Sequence, residues 1–279
     1  MMTLNIKDDG LIIAEVGAWS KRKYKLISQY AEMFSTSMKN KWDYRIYIDC
    51  FAGCGYSKIK GTSTIVPASP ILALEIPDKF DQYIFCDIDK IKLGSLKKRI
   101  ENKYPDTEVY FINNDVNCSV DKIVNFIPRP SRTNRVLSFC VLDPYNINNL
   151  CFNTIENLAA KIFVDFLILI PSYMDANRNL QNYYHNKSID NFLGDSKWRE
   201  TWEENKNSLR FGRFIVEEFN KRMISRGFLG LEPEEFVEIR EQKRKCPLYH
   251  LAFYSKNNLG KKFWKAAIKG SNPQIALFN

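Results

Sequence analysis

The sequence predicts an α/β fold, a doubly wound and mostly parallel sheet that ends in an antiparallel hairpin. Three observations predict it. Apolar runs at 83–86, 136–142 and 163–170 lack the period-two alternation of a half-exposed strand, as expected of strands buried on both faces. Helix-period segments at 90–103 and 121–126 separate such runs, which is how parallel strands are connected. Residues 47–55, Tyr-Ile-Asp-Cys-Phe-Ala-Gly-Cys-Gly, form an apolar run ending in a small-residue turn, the pattern of a buried strand feeding a ligand loop. At 279 residues the chain is expected to form one domain, 1–279, with an N-terminal helical extension over 1–42 and a helical insertion over about 172–230.

Taken in order, Ser20 precedes 21–38, where Tyr24, Ile27, Tyr30, Ala31 and Phe34 recur at helical spacing, so a Ser-capped amphipathic helix with a basic outer face leads into the first strand. A polar segment, 57–68, follows the glycine turn. Ser69-Pro70 then opens a short helix over 71–75, with serine as the cap and proline at the first helical position. Strands at 83–86 and 108–112 alternate with helices at 90–103 and 121–126, and continuous apolar strands follow at 136–142 and 163–170. The stretch 171–226 is helical and polar, and its Trp198, Trp202, Phe211, Phe214 and Phe219 are expected to anchor a core. Strands at 235–240 and 248–254, joined by a basic turn over 241–245, form the hairpin, and a helix over 259–268 closes the chain.

Lys and Arg number 41 against 32 Asp and Glu, a formal charge of +9 that favours polyanionic partners, nucleic acid among them. The apolar stretch 11–16 is interrupted by Glu15 and preceded by Asp8 and Asp9, where an export signal would be positive. The longest apolar run, 162–171, contains Asp165 and is too short to cross a bilayer, so no membrane partner and a cytoplasmic location are expected. The seven cysteines lack paired CxxC spacing, as reduced structural thiols do. Cys50 and Cys54 would begin a CxxxCxxC cluster signature, but Ser57 takes the third position, and His185 and His250 have no neighbour at ligand spacing, so no metal is expected.

Ligands of open α/β sheets bind beyond the carboxyl ends of the strands. Asp49 ends the first strand beside Phe51, Ala52, Gly53 and Gly55, and the two glycines can take positive φ and let the backbone approach a ligand. Asp87, at the end of the second strand, is the first choice to accept from both ribose hydroxyls of an adenosine cofactor, and Asp89 is as suited to cap the next helix as to that role. Asp115 ends the third strand, where it can accept from an adenine amine or form an Asx turn or helix cap. After the fourth strand, Asp143, Pro144 and Tyr145 combine an acceptor for a nucleophilic amine, a fixed backbone and a ring that can stack on a flat substrate; a proline turn is the bland alternative. A nicotinamide site is disfavoured because Lys58 stands where a third glycine would be needed.

These pieces in this order resemble S-adenosylmethionine-dependent methyltransferases that modify amino groups, whose fourth motif is commonly Asp/Asn-Pro-Pro-Tyr/Phe. Asp143-Pro144-Tyr145-Asn146 has one proline and is closer to the Asp-Pro-aromatic-Gly pattern of transfer-RNA guanine N2-methyltransferases. Over residues 16–268 the chain resembles the three-Cys-motif partner protein family of bacteria and their phages. The resemblance is carried by Val16-Gly17-Ala18-Trp19-Ser20, the 47–55 segment, Ala68-Ser69-Pro70, Leu142-Asp143-Pro144-Tyr145, Asp165-Phe166-Leu167-Ile168, Asn177-Arg178, Phe192-Leu193-Gly194, Trp198-Arg199 and Leu259-Gly260. The family usually has proline and glycine where this chain has Cys54 and Asn146, and glycine in place of Ala68.

The resemblance implies a Rossmann-like methyltransferase fold, S-adenosylmethionine as cofactor, and pairing with an iron–sulfur protein that carries the three cysteines. On this reading Asp49, Phe51, Ala52, Gly53, Gly55, Asp87 and Asp115 hold cofactor, and Asp143, Pro144 and Tyr145 serve the methyl acceptor, an amino group of RNA or DNA. Arg178 is expected to meet a phosphate or carboxylate, or to make a structural salt bridge. The alternative is a subunit that binds its partner or nucleic acid without transferring a methyl group.

Overall fold

The computed structural model describes residues 6–241 and 243–271, so Gln242, within the expected 241–245 turn, lies outside the described residues. The chain divides into two compact units, Met1–Cys140 and Val141–Asn279. The first unit runs β1 (Ala14–Val16), α1 (Ser20–Met38), β2 (Tyr44–Asp49), β3 (Tyr56–Ile59), β4 (Ile65–Pro67), α2 (Ser69–Glu75), β5 (Gln82–Asp87), α3 (Lys90–Lys103), β6 (Val109–Asn113) and α4 (Val120–Phe126). Strand β7 (Val136–Leu142) crosses the boundary. The second unit then has α5 (Phe152–Lys161), β8 (Val164–Ile170), a π-helical turn (Ser172–Asn177), α6 (Leu180–Tyr184), α7 (Ser188–Leu193), α8 (Trp198–Asn205), α9 (Phe211–Ser225), β9 (Val237–Arg240), β10 (Pro247–Tyr254) and α10 (Asn258–Ser271).

The fold is α/β around a seven-stranded sheet of order β6-β5-β2-β7-β8-β10-β9. The chain fills the sheet outward from β2 through β5 to β6, then resumes at β7 and fills the other side, which is double winding. Strands β2, β5 and β6 pair in parallel, while β10 pairs antiparallel with both β8 and β9, giving the expected hairpin. Every residue of β8 and all but the first of β2 are buried, so their apolar runs reflect cover on both faces.

The core of the first unit is aromatic. Tyr30 packs on Phe139 with ring centroids 4.8 Å apart, and Tyr47 contacts Phe80, Tyr83, Phe85 and Phe139. Each such buried ring contributes about 1.5–3 kcal/mol of transfer free energy. Buried Arg45 is held by Asp81 at 2.9 Å, which offsets the desolvation of the guanidinium at the start of β2. In the second unit Trp198, Trp202, Phe211, Phe214 and Phe219 are all buried in mutual contact or against Phe192 and Tyr254, as expected of large aromatics.

Some local expectations shift. Helix α1 begins at Ser20 itself, so Trp19 takes the capping position without a side-chain cap bond. Helix α2 likewise begins at Ser69, and Ala68 is its cap. The polar segment after the glycine turn contains β3 and β4, which with β1 make a separate three-stranded sheet. Strands of three or four residues are too short to show a period in sequence. Helix α5, between β7 and β8, was not expected from the sequence. Among the described residues no helix is long and apolar enough to cross a membrane.

Candidate functional site

In the first unit the glycine loop leaves β2 at Asp49, which is fully buried. Its Oδ1 accepts the Phe51 N–H at 3.2 Å and its Oδ2 accepts from the Tyr47 hydroxyl at 3.4 Å. Burial first, and then the Asp49 charge, push the Tyr47 phenol well above its ordinary value, so it stays a neutral donor. The Ala52 N–H donates to the Cys86 carbonyl at 3.0 Å, tying the loop to β5. Gly53 and Gly55 have φ of +61° and +85°, as the spacing predicts for a turn that only glycine enters freely. A Cβ on Gly55 would stand 2.7 Å from Leu96 Cδ1, so this glycine is fixed by packing as well; a Cβ on Gly53 would meet nothing within 4 Å.

Asp87 ends β5 and reaches this loop. Its Oδ2 accepts the Gly53 N–H at 2.7 Å and its Oδ1 accepts the Asp89 N–H at 2.8 Å. A carboxylate has about four acceptor sites, so roughly two stay open to other donors. Asp89 caps α3 through the N–H groups of Ile91 and Lys92, and those bonds, with Lys92, lower its carboxyl below the usual range. Asp115 caps the short 3-10 turn Val116–Cys118: its Oδ1 accepts the Asn117 N–H at 2.8 Å and the Asn117 side-chain amide at 3.0 Å.

Three neighbours of this site were missed in sequence. Asn113 donates its side-chain amide to the carbonyls of Asp87 and Ile88, both at 3.0 Å, bracing the end of β5. Ile88 is 72% exposed, an apolar side chain between two carboxylates at a strand end, and the Asp-Ile-Asp sequence was the signal for it. Arg99 holds the loop from behind: it donates to the Cys54 carbonyl at 2.6 Å and the Ile12 carbonyl at 2.8 Å, and forms a bidentate pair with Asp9 at 2.7 Å. A cavity of about 460 Å³ beside Arg99 is lined by Asp9, Tyr56, Lys98 and Lys103, and by none of the predicted site residues.

The cysteines pack. Cys54 donates to the Tyr56 carbonyl, and Cys50 lies with its sulfur 3.8 Å from that of Cys140, a contact that with burial raises the Cys50 thiol well above its ordinary value. None of the seven is in a disulfide, and no metal-binding cluster of His, Cys, Asp or Glu occurs among the described residues.

In the second unit the loop after β7 presents Asp143 half-buried, Pro144 buried and Tyr145 79% exposed. The loop is braced. Asn146 has φ −146°, ordinary extended backbone, so no glycine is needed there, and its side chain accepts the Asn148 N–H at 3.0 Å. Asn149 Oδ1 returns a bond to the Asn146 N–H at 3.1 Å. Buried Asp175, in the π-helical turn after β8, accepts the Ile147 N–H at 2.7 Å, while its other oxygen accepts from Tyr183 and Asn179, each at 2.8 Å. Arg178 is exposed at the end of that turn and makes no side-chain hydrogen bond or ion pair among the described residues.

His250 lies in the sheet, 2% exposed, with Nδ1 2.8 Å from the Ser172 hydroxyl. Burial, then Arg213 and Arg240, lower its imidazole to about 4, so it is neutral at pH 7. Glu238 at 3.7 Å is too far for a hydrogen bond to reverse this. His185 is an exposed residue at the end of α6.

No protein-family model matches the chain, and no curated protein matches it. Among solved structures it is similar to the protein LPL1258 of Legionella pneumophila, at 11% identity and a TM-score of 0.48, covering 90% of this chain and 93% of that one. It is also similar to the magnesium protoporphyrin IX methyltransferase of Synechocystis with bound S-adenosylmethionine, at 10% identity, TM-score 0.42, covering 86% and 85%. An rRNA methylase of Streptococcus thermophilus matches at 11% identity, TM-score 0.41, covering 83% and 94%.

Proposed function

We propose that this chain binds S-adenosylmethionine and methylates an amino group of a nucleic-acid base. The observation that carries the reading is the joining of two strand ends in one loop: Gly53, at φ +61°, donates to Asp87 across 2.7 Å, and a Cβ there would meet no protein atom within 4 Å. A backbone turn of this kind gives a cofactor close approach, and the open acceptor sites of Asp87 suit two ribose hydroxyls. Exposed Ile88 offers an apolar surface to a purine, and Asp115, whose Oδ1 serves the cap, offers Oδ2 to the adenine amine. Asp49, Phe51, Ala52 and Gly55 set the path of the loop.

When bound, the cofactor supplies an electrophilic methyl group on a sulfonium. Asp143 accepts an N–H of the acceptor amine, which orients the nitrogen lone pair for attack. Asp143 would also take up the proton that the amine gives up on transfer and pass it to solvent. Pro144 fixes the backbone, exposed Tyr145 stacks on the base, and Arg178 is available to a phosphate.

Calorimetry with S-adenosylmethionine and S-adenosylhomocysteine tests the first half, and a folded protein that binds neither would sink it. Transfer of label from radioactive cofactor to RNA or DNA, lost in Asp143→Asn with cofactor binding retained, tests the second.

A further inference from the structure

We propose that the tip of the β9–β10 hairpin and the start of α9 form a surface that tracks the phosphates of a single-stranded nucleic acid, with Tyr173 as its stacking platform. This rests on the reading of nucleic acid as acceptor and says where that strand lies on the second unit.

The register places the hairpin tip. His250 of β10 pairs with Ile170, the last residue of β8, and β10 begins three residues earlier at Pro247. At about 3.3 Å per residue the tip stands roughly 10 Å beyond the carboxyl end of β8, the side on which open α/β sheets take ligands. Tyr173 lies in the turn that leaves the same strand end. Its ring is half-buried and 5.7 Å from that of His250. Helix α9 comes against it closely, since a Cβ on Gly212 would stand 2.7 Å from the Tyr173 ring and 2.9 Å from the Ser172 carbonyl. Arg210 and Arg213 flank Gly212 in the sequence, and their charges act on the Tyr173 phenol. On β9, Glu238 pairs with His250 across the hairpin, and Arg240, two residues on, shares its face and pairs with Pro247 nearer the tip.

The acids around these cations are already engaged. Glu238 pairs with Arg240, Glu217 pairs with Arg213 at 2.7 Å, and Glu241 accepts the N–H groups of Lys243 and Arg244. The side chains of Arg210, Lys243, Arg244 and Lys245 are exposed and make no hydrogen bond or ion pair among the described residues. Four exposed cations and an aromatic ring at the same end of the sheet suit a phosphodiester chain with unstacked bases, because the cations displace counterions and every base has a face to stack. An acidic protein would match the charge and leave the ring without a use.

The test is fluorescence anisotropy with labelled single strands of about 12 nucleotides, RNA and DNA of one sequence in separate arms. Relative to wild type, the Lys243→Gln/Arg244→Gln/Lys245→Gln variant is expected to bind about tenfold or more weakly near 0.1 M salt, with a salt slope smaller by roughly 2. Arg210→Gln weakens binding further, and Lys262→Gln/Lys269→Gln on α10, an equally exposed control, does not. The arm with the tighter wild-type binding identifies the strand. Wild-type protein that binds neither strand, or hairpin variants that bind as well as wild type, would overturn the proposal. Calorimetry with S-adenosylmethionine on the same samples is independent: its failure removes the cofactor reading and leaves the surface standing.

Discussion

The Gly53 N–H donates to Asp87 Oδ2 at 2.7 Å, joining the loop after β2 to the end of β5. Removing that acceptor frees the loop that would carry a cofactor. Asp87→Ala is expected to cut S-adenosylmethionine affinity by more than about tenfold and to destabilise the fold by about 1.5–3 kcal/mol, the range for hydrogen bonds to a charged group. Calorimetry and urea unfolding check the two halves separately. Affinity unchanged in a folded variant would show that Asp87 only ties the loop.

The two loop glycines should respond differently. Gly55→Ala must bear φ +85° and a Cβ 2.7 Å from buried Leu96, whereas Gly53→Ala bears only φ +61°. The expected loss is about 1–2 kcal/mol for Gly53→Ala and clearly more for Gly55→Ala. Denaturant midpoints decide it, and equal losses would contradict the packing argument.

Asp175 holds the Asp143 loop through the Ile147 N–H at 2.7 Å without reaching the loop's own carboxylate. Asp175→Asn keeps the volume and gives up one acceptor oxygen. Labelling of nucleic acid should therefore fall in kcat by about tenfold or more, with cofactor affinity unchanged. A proportional loss of cofactor binding would mean that the substitution acts by general unfolding.

Stability should fall on acidification through His250. Its folded-state pKa, about 4, is depressed from the ordinary 6.5, so the unfolded chain takes the proton first. The contribution is fully present above pH 6.5, declines as pH falls towards 4, and amounts to about 3 kcal/mol at most. Urea unfolding between pH 4 and 7 measures the slope, and His250→Asn should flatten it.

Much of the site was legible because it is local. Gly53 and Gly55 were expected at positive φ, Asp89 was expected as a helix cap, and both expectations match the structure because the turn and the cap involve residues within three positions of one another. Ser20 and Ser69 were expected as caps and are the first residues of their helices instead, since the choice between adjacent residues depends on packing that a helical period does not register. Ile88 was passed over because an exposed isoleucine reads as part of the strand until its accessibility is known.

The sequence by itself determined the double winding, the hairpin and the strand-end carboxylates, since apolar runs and helical periods are properties of near neighbours. Tertiary structure decided what those carboxylates do. Asp87 meets Gly53 across 34 residues and Asp175 meets Ile147 across 28, and the Tyr173 ring stands 5.7 Å from that of His250 on β10. Such partners are chosen by strand register and helix contact, and no local pattern in the chain encodes a hydrogen bond whose two ends are brought together only when the sheet pairs.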